Sequence, residues 1–584
     1  MGEHLSDAVD SVLRWLNSAS LAPVSFEVAG TSTAERVRLA ALGSLVYATF
    51  LRRDLGAHLP ALEQHVALKG WVAPSILAPL EVVQAMEACV ELDPETALAA
   101  IYSGAVSSAN RRRLGTFFTP SAEVEEMLAG CERVGMSPRT VIDVGAGVGI
   151  FTLAAHRRWT DADVLGVDIN PVTLGLLGLL AASTNALSSG ERPGVRLVLD
   201  DFVEFVQRGF SSLPGPRLIL GNPPYTRMQL LPSSDRARLL KAAEPLCGSR
   251  ASLSAIITAI SLKHLEPADG LALLLPAQWL ESDYARPLRE RIWSETRRPV
   301  ELHMFRADLF SDAQVDAVSL LVGPQQPTEA SFLTSNEAEE HRVRHLRGFD
   351  SPDTWRHLFR GTSGGATPVS NEANRRALGD YAVVNRGVAT GANWFFVVTD
   401  EVRHAQKLPA TVLRPMLRRL RDYTGEVLTP EGLDELAARD RRWLLVAPPR
   451  KNRNAATASY VALGERADVH RGQLCSLRPT WYDLSAEVHI PDVIVGPSSK
   501  GAFRFVENHA DSPITNNLYG LSWRPSVTMQ TKKAILTWLR SEGGQEAIER
   551  VARSQGSGLL KVEPRALARV LLPDGLIGAA AGPD

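Results

Sequence analysis

Between residues 111 and 330, short apolar runs alternate with longer stretches of helical periodicity, and this alternation constrains the fold more than any other feature of the chain. The runs at 140–144, 163–168, 195–199, 218–221, 271–275 and 317–322 read as strands. Helical stretches follow several of them, at 149–158, 171–186 and 252–265. Such a pattern predicts an open, mostly parallel sheet with helices on both faces. Ligands on such sheets bind outside the C-terminal strand ends, so those ends are where chemistry is expected.

Four strand ends in succession carry residues suited to a ligand. The first leads through Asp143 into Gly145-Ala146-Gly147-Val148-Gly149, where the lack of Cβ atoms lets a ligand approach the backbone. Its G-x-G-x-G spacing differs from the G-x-G-x-x-G of dinucleotide-binding domains. The second ends in Asp168, placed to accept from ribose hydroxyls. The third ends in Asp201-Phe202, an acceptor for an exocyclic amine beside a ring that packs on adenine. The fourth ends in Asn222-Pro223-Pro224-Tyr225. Prolines fix φ and lack an N–H, so this turn offers an amide oxygen, backbone carbonyls and a flat ring to a planar amino group. Upstream, Thr119-Pro120 reads as the start of a helix near Ser121, with Thr119 as a cap that also lies over the cofactor.

In this order the motifs resemble the class I S-adenosylmethionine-dependent DNA methyltransferases that methylate adenine N6, in the gamma subgroup typified by the TaqI methyltransferase. The resemblance implies a Rossmann-like catalytic domain over 111–335, preceded by a helical region over 1–110. A connector over 336–379 and a mixed α+β target-recognition domain over 380–584 would follow. It places Thr119, Asp143, Gly145, Gly147, Asp168, Asp201 and Phe202 around S-adenosylmethionine. Asn222, Pro223, Pro224 and Tyr225 would form the catalytic turn, with Tyr225 and Phe310 stacking on a flipped target base. Phe310 belongs to a segment, 309–318, similar to the one that carries this aromatic in the family.

The C-terminal part is similar in style to the subgroup's recognition domains, on Arg386-Gly387-Val388-Ala389-Thr390-Gly391-Ala392-Asn393 followed by Trp394-Phe395-Phe396. Phe503, Asn508, Thr515, Asn516 and Asn517 fit by residue type. The net charge of −2 hides an acidic excess over 1–110 and a basic excess over 380–584. Arg414, Arg418, Arg419, Arg421, Arg441, Arg442, Arg450, Lys451 and Arg453 are the corresponding candidates for phosphate contacts. The implied partner is double-stranded DNA, with a separate restriction endonuclease as a further partner.

The Asn-Pro-Pro-Tyr turn alone also suits a protein glutamine or an exocyclic amine of RNA. The Thr-Pro turn, the Phe310 segment and the C-terminal domain favour DNA. A metal-dependent nuclease would need a Pro-Asp followed by an acid-x-Lys. Pro491-Asp492 is followed by Ser498-Ser499-Lys500, so methylation without cleavage is expected. Cys89, Cys131, Cys247 and Cys475 are too scattered for a metal site or a disulfide framework. There is no basic-then-apolar leader, and no apolar run approaches the ~20 residues of a membrane span. The expected location is the cytoplasm, in association with the nucleoid, with no membrane partner.

Overall fold

In the computed structural model, the apolar runs assemble into one nine-stranded sheet. Its strands are β1 (Thr140–Val144), β2 (Asp163–Asp168), β3 (Val195–Leu199), β4 (Arg217–Gly221), β5 (Gly270–Pro276), β6 (Val300–Met304), β7 (Ala317–Val322), β8 (Phe332–Asn336) and β9 (Glu339–His345). The spatial order is β3-β2-β1-β4-β5-β7-β6-β8-β9. The structure describes residues 3–576 except 25–30, 109–117, 189–191, 227, 306–315, 337–338, 346, 348–350, 353, 360–375, 441, 446–453, 555–558 and 574–575. The chain divides into two units, Met1–Ser363 and Gly364–Asp584.

Strands β3, β2, β1, β4 and β5 run parallel, and β7 then enters antiparallel to β5. The order reverses between β1 and β4, which makes their C-terminal ends the switch point of a doubly wound sheet. This is the Rossmann-like class I methyltransferase fold class expected. Alternate residues of each strand face opposite sides. Val141, Leu218, Leu220, Ala272 and Leu274 enter one apolar cluster. Ile142, Ile219, Leu271, Leu273 and Leu275 enter another.

The first of these clusters continues into the N-terminal helices Glu3–Ser18, Thr33–Arg52, Leu80–Leu92 and Pro94–Ala105. Between them and the sheet lies the helix Pro171–Ser183, buried from Pro171 to Ala182. A helix apolar on every side needs cover on every side, and the N-terminal helices supply it. The approach is close: a Cβ on Gly175 would lie 2.3 Å from the Trp71 ring. The Trp71 indole in turn donates to the Leu39 carbonyl at 2.7 Å. The N-terminal region is thus a second layer over this face of the sheet.

The segment read as a connector contributes to the first unit. It supplies β9, which pairs antiparallel with β8, and Trp355, which is fully buried. The Trp355 ring packs against Trp279, Trp293 and Phe332 at centroid distances of 5.6, 5.9 and 5.2 Å.

The second unit is mixed α+β. One sheet contains, in spatial order, Ala382–Arg386, Tyr519–Trp523, Val493–Val495, Phe505–Asn508 and Val427–Leu428. A three-stranded sheet joins Val397–Thr399, Arg442–Leu445 and Leu413–Pro415. The aromatic run Trp394-Phe395-Phe396, strand-forming by residue type, lies in a helical turn, Asn393–Phe396, ahead of the strand Val397–Thr399. The Phe395 and Phe396 amides donate to the Ala392 carbonyl at 2.9 and 3.0 Å. That turn lets the Phe395 ring stack on Tyr460, 4.8 Å between centroids at 13°, which a strand would not allow. Among the described residues, no helix is long and apolar enough to cross a membrane.

Candidate cofactor and substrate site

A cavity of about 450 Å3 opens at the C-terminal ends of β1 to β4. Its wall includes Phe118 and Thr119, the loop Gly145–Gly147, Asp168 to Asn170, Asp201 and Phe202, and Asn222 and Pro224. Residues expected to serve the cofactor and the substrate therefore share one space. Asp143, Pro223 and Tyr225 lie beside it, and Phe310 lies outside the described residues. The size is within the range of small-molecule sites.

The glycine loop is held by the acid of the next strand. Asp168 accepts from the Gly147 amide through one oxygen and from the Asn170 amide through the other, both at 2.8 Å. Thr173 and the Ile169 backbone also hydrogen-bond the carboxylate, an acceptor group of the kind that hydroxyl donors seek. Burial pushes the Asp168 carboxyl above its ordinary range. Asp143 sits beneath the loop, 1% exposed, and accepts from the Thr152 hydroxyl at 2.6 Å. Burial raises its pKa to about 7, and the neighbouring Asp168 charge adds to the shift. Its second oxygen, Oδ1, is buried without a partner among the described residues.

Asp201 is the N-cap of the helix Phe202–Gly209, with Oδ1 accepting from the Val203 and Glu204 amides at 2.9 and 3.1 Å. Its other oxygen faces Arg238 at 3.3 Å. Phe202 is buried at the wall. Ile169, 68% exposed, lines the same cavity. An apolar side chain left so exposed at a strand end supplies a face for a flat ring. These residues fit S-adenosylmethionine. There is a carboxylate for the ribose, apolar side chains for the adenine, and an open glycine loop beside carboxylates whose burial is relieved by a cationic ligand.

The Thr-Pro turn does not cap its helix. The cap residue of Ser121–Arg133 is Pro120, with no side-chain bond. The Thr119 hydroxyl, 3% exposed, instead accepts from Asn222 Nδ2 at 3.2 Å. A residue 103 positions upstream thus orients the Asn222 amide. Of the two amide atoms only the oxygen accepts, so Oδ1 is the atom suited to a substrate amino hydrogen. Tyr225 packs on the apolar cluster of the first face, and burial pushes its phenol well above the ordinary value. A phenol held neutral offers a stacking face and no base.

Sequence reasoning missed the contribution of the N-terminal helices. The buried Tyr102 hydroxyl accepts from Asn170 Nδ2 at 2.9 Å, and its ring meets Phe118 edge-on, 6.2 Å between centroids. Asn170 in turn caps the helix Pro171–Ser183 through the Val172 amide at 3.0 Å. One tyrosine therefore positions two cavity residues. The only signal in the sequence was Asn-Pro after the strand acid, a helix start. In Tyr102→Phe the ring packing stays and the hydrogen bond to Asn170 is lost, at a net cost of about 1 kcal/mol. We expect the cofactor Kd to rise about fivefold with kcat at saturation unchanged. Isothermal titration and steady-state rates check this, and an unchanged Kd would remove Tyr102 from the site.

Of the phosphate candidates, Arg414 and Arg421 are exposed and Arg418 and Arg419 half-buried. Arg441, Arg450, Lys451 and Arg453, and the side chain of Arg442, lie outside the described residues. Two of the polar and aromatic candidates prove structural. Phe503 is core. Asn508 donates to the Pro491 and Ser512 carbonyls at 2.9 and 3.0 Å and accepts from the Ser512 amide, which leaves its amide no donor to spare.

Comparison with known proteins gives concordant likenesses. The family model of the C-terminal domain of the Type II methyltransferase M.Eco57I matches residues 366–581. The Type II methyltransferase M.XamI of Xanthomonas campestris pv. amaranthicola is 24% identical over 497 residues, 79% of this chain and 85% of that protein. The Type II methyltransferase M.BsuBI of Bacillus subtilis is 23% identical over 220 residues, 35% of this chain and 42% of that one. Among solved structures, the Type IIL restriction-modification enzyme MmeI in complex with DNA aligns with a TM-score of 0.56 at 13% identity, over 99% of this chain and 88% of that one. At that identity the likeness is one of fold.

Proposed function

We propose that this chain is the DNA methyltransferase of a Type II restriction–modification system, transferring a methyl group to adenine N6 in double-stranded DNA. One observation carries the reading: the cavity suited to the cofactor has Asn222 and Pro224 in its wall, with the Asn222 amide bonded to Thr119. An amino group accepted there lies against the methyl donor. S-adenosylmethionine supplies that donor, an electrophilic methyl on a sulfonium.

The chain's own residues do the rest. Asp168 accepts from the ribose hydroxyls, and Asp201 and Phe202 hold the adenine of the cofactor. Adenine N6 is a weak nucleophile because its lone pair is delocalised into the ring. Asn222 Oδ1 and the Pro223 carbonyl accept its two hydrogens, draw it towards a tetrahedral geometry and localise the lone pair for in-line attack. Catalysis is then positioning and electrostatics, with no strong base required. The target base must leave the duplex to reach the turn, and Tyr225 and Phe310 stack on its two faces. Arginines of the second unit neutralise phosphates, so affinity falls with salt. Cleavage of unmodified DNA belongs to a separate endonuclease.

Single-molecule sequencing of DNA from a methylation-free host expressing the chain tests the assignment. Methyladenine at one position of one short motif is the expected result. Unmodified DNA in the presence of folded protein overturns it, and modified cytosine overturns the choice of base.

A further inference from the structure

A second concavity, of about 400 Å3, lies wholly within the second unit, and Asn393, Trp394, Arg418, Thr515 and Asn517 are among its lining residues. Its two halves are 122 residues apart in sequence and are joined by backbone pairing through an isolated parallel bridge, Val388 to Thr515. The Val388 amide donates to Ile514 at 2.8 Å, and the Asn516 amide to Val388 at 3.0 Å. The turn before Asn393 is clamped from behind. Arg478 donates to the Thr390 and Ala389 carbonyls at 2.9 and 2.7 Å and is paired with Glu487. The buried Thr390 hydroxyl donates to Asn393 Oδ1 at 2.7 Å. That bond fixes the amide plane and leaves its NH2 and one oxygen lone pair directed elsewhere.

Two features of this concavity make no sense as packing. Trp394 is 69% exposed, although the next two residues are core. Thr515 is 1% exposed, yet its hydroxyl has no partner among the described residues. A buried unsatisfied hydroxyl has given up its hydrogen bonds to water without replacing them. A bound ligand that hydrogen-bonds there would replace them, and an indole at the rim would cover an apolar part of the ligand.

We propose that this concavity reads one base pair of the DNA target from its edge, with the Asn393 amide on the base edge, Thr515 and Asn517 completing the hydrogen bonds and Trp394 against an apolar part of that edge such as a thymine methyl. A planar amide matches a donor and an acceptor side by side, the arrangement of adenine N6 and N7. The inference rests on the chain being a DNA methyltransferase, and it assigns specificity to residues that no motif of the catalytic unit contains.

Selection of duplexes from a randomised library by the full-length protein reports base preference independently of methyl transfer. The wild type should enrich one motif. Asn393→Ala, Asn517→Ala and Thr515→Val should each lose about tenfold in discrimination at one and the same position, with the other positions and cofactor affinity unchanged. Asn393 and Asn517 are exposed, so their variants remain folded and decide the matter even if Thr515→Val does not. An unchanged motif in both asparagine variants overturns the proposal, as does a weakening uniform over all sequences. A wild type that enriches no motif overturns it too. A wild type that selects a motif but modifies no DNA leaves the pocket standing and removes the methyltransferase reading instead.

Discussion

Replacing Asn222 by alanine should slow methyl transfer by about 10²–10³-fold while the cofactor Kd stays within about twofold of wild type. The magnitude follows from the role given to Oδ1. A preorganised group that acts only as charge redistributes at the reacting atom is worth ~3–4 kcal/mol when removed, and each 1.36 kcal/mol is about tenfold in rate. Cofactor affinity is spared because the groups assigned to the cofactor, Asp168 and Phe202, belong to other elements, β2 and the helix Phe202–Gly209. The substitution also removes the donor to Thr119, whose hydroxyl is 3% exposed, so a small loss of stability accompanies it. Single-turnover rates on a duplex carrying the motif, with calorimetry of the cofactor, separate the effects. A near-normal rate ends the assignment. Equal loss of cofactor affinity would make Asn222 part of the cofactor site.

Most of the catalytic sheet was legible in the sequence because β1, β4, β5 and β7 are buried along their whole length and so read as continuous apolar runs. Strands β1, β2, β3 and β7 have the bounds expected from those runs. Strand β6 was not legible, since Val300–Met304 contains Glu301 and His303. Glu301 is 1% exposed, and its ion pair with Arg133 at 2.6 Å spans 168 residues. A charge compensated from so far away looks, in sequence, like a charge at the surface. The same holds at the site. The acids and the Asn-Pro-Pro-Tyr turn stood out because each closes a strand, one after another. Tyr102, Asn170 and Arg238 did not, because ordinary residue types become functional only through partners tens of positions distant. The turn Asn393–Phe396 was hidden for a local reason, since its aromatic residues favour a strand by propensity while Phe395 stacks on Tyr460 from a turn of helix.

Gly221→Ala should destabilise the first unit by about 4 kcal/mol and abolish methylation with it. Gly221 ends β4 immediately before Asn222, at φ +133°, a conformation that L side chains rarely adopt. Holding an alanine there costs about 1–3 kcal/mol. Space adds a second cost. A Cβ would lie 2.7 Å from Asp143 Oδ1 and 2.9 Å from the Val144 carbonyl oxygen, and a backbone oxygen in a central strand cannot move aside as a flexible side chain can. Overpacking of this kind costs about 1–3 kcal/mol more. The residue is therefore glycine because β4 must pass close to the end of β1 as it delivers the Asn222 turn. Denaturant unfolding followed by cofactor-dependent stabilisation reads the effect on this unit. Gly70→Ala is the control. It lies in the helix Val66–Trp71 with nothing within 4 Å of its Cβ, so alanine should be neutral or stabilising by up to ~1 kcal/mol. Asn222→Ala is folded and inactive on this account, whereas Gly221→Ala is inactive because it is poorly folded. If Gly221→Ala is as stable as wild type, β4 has freedom at its end that would also let Asn222 wander, and rigid positioning of the amide would no longer explain catalysis.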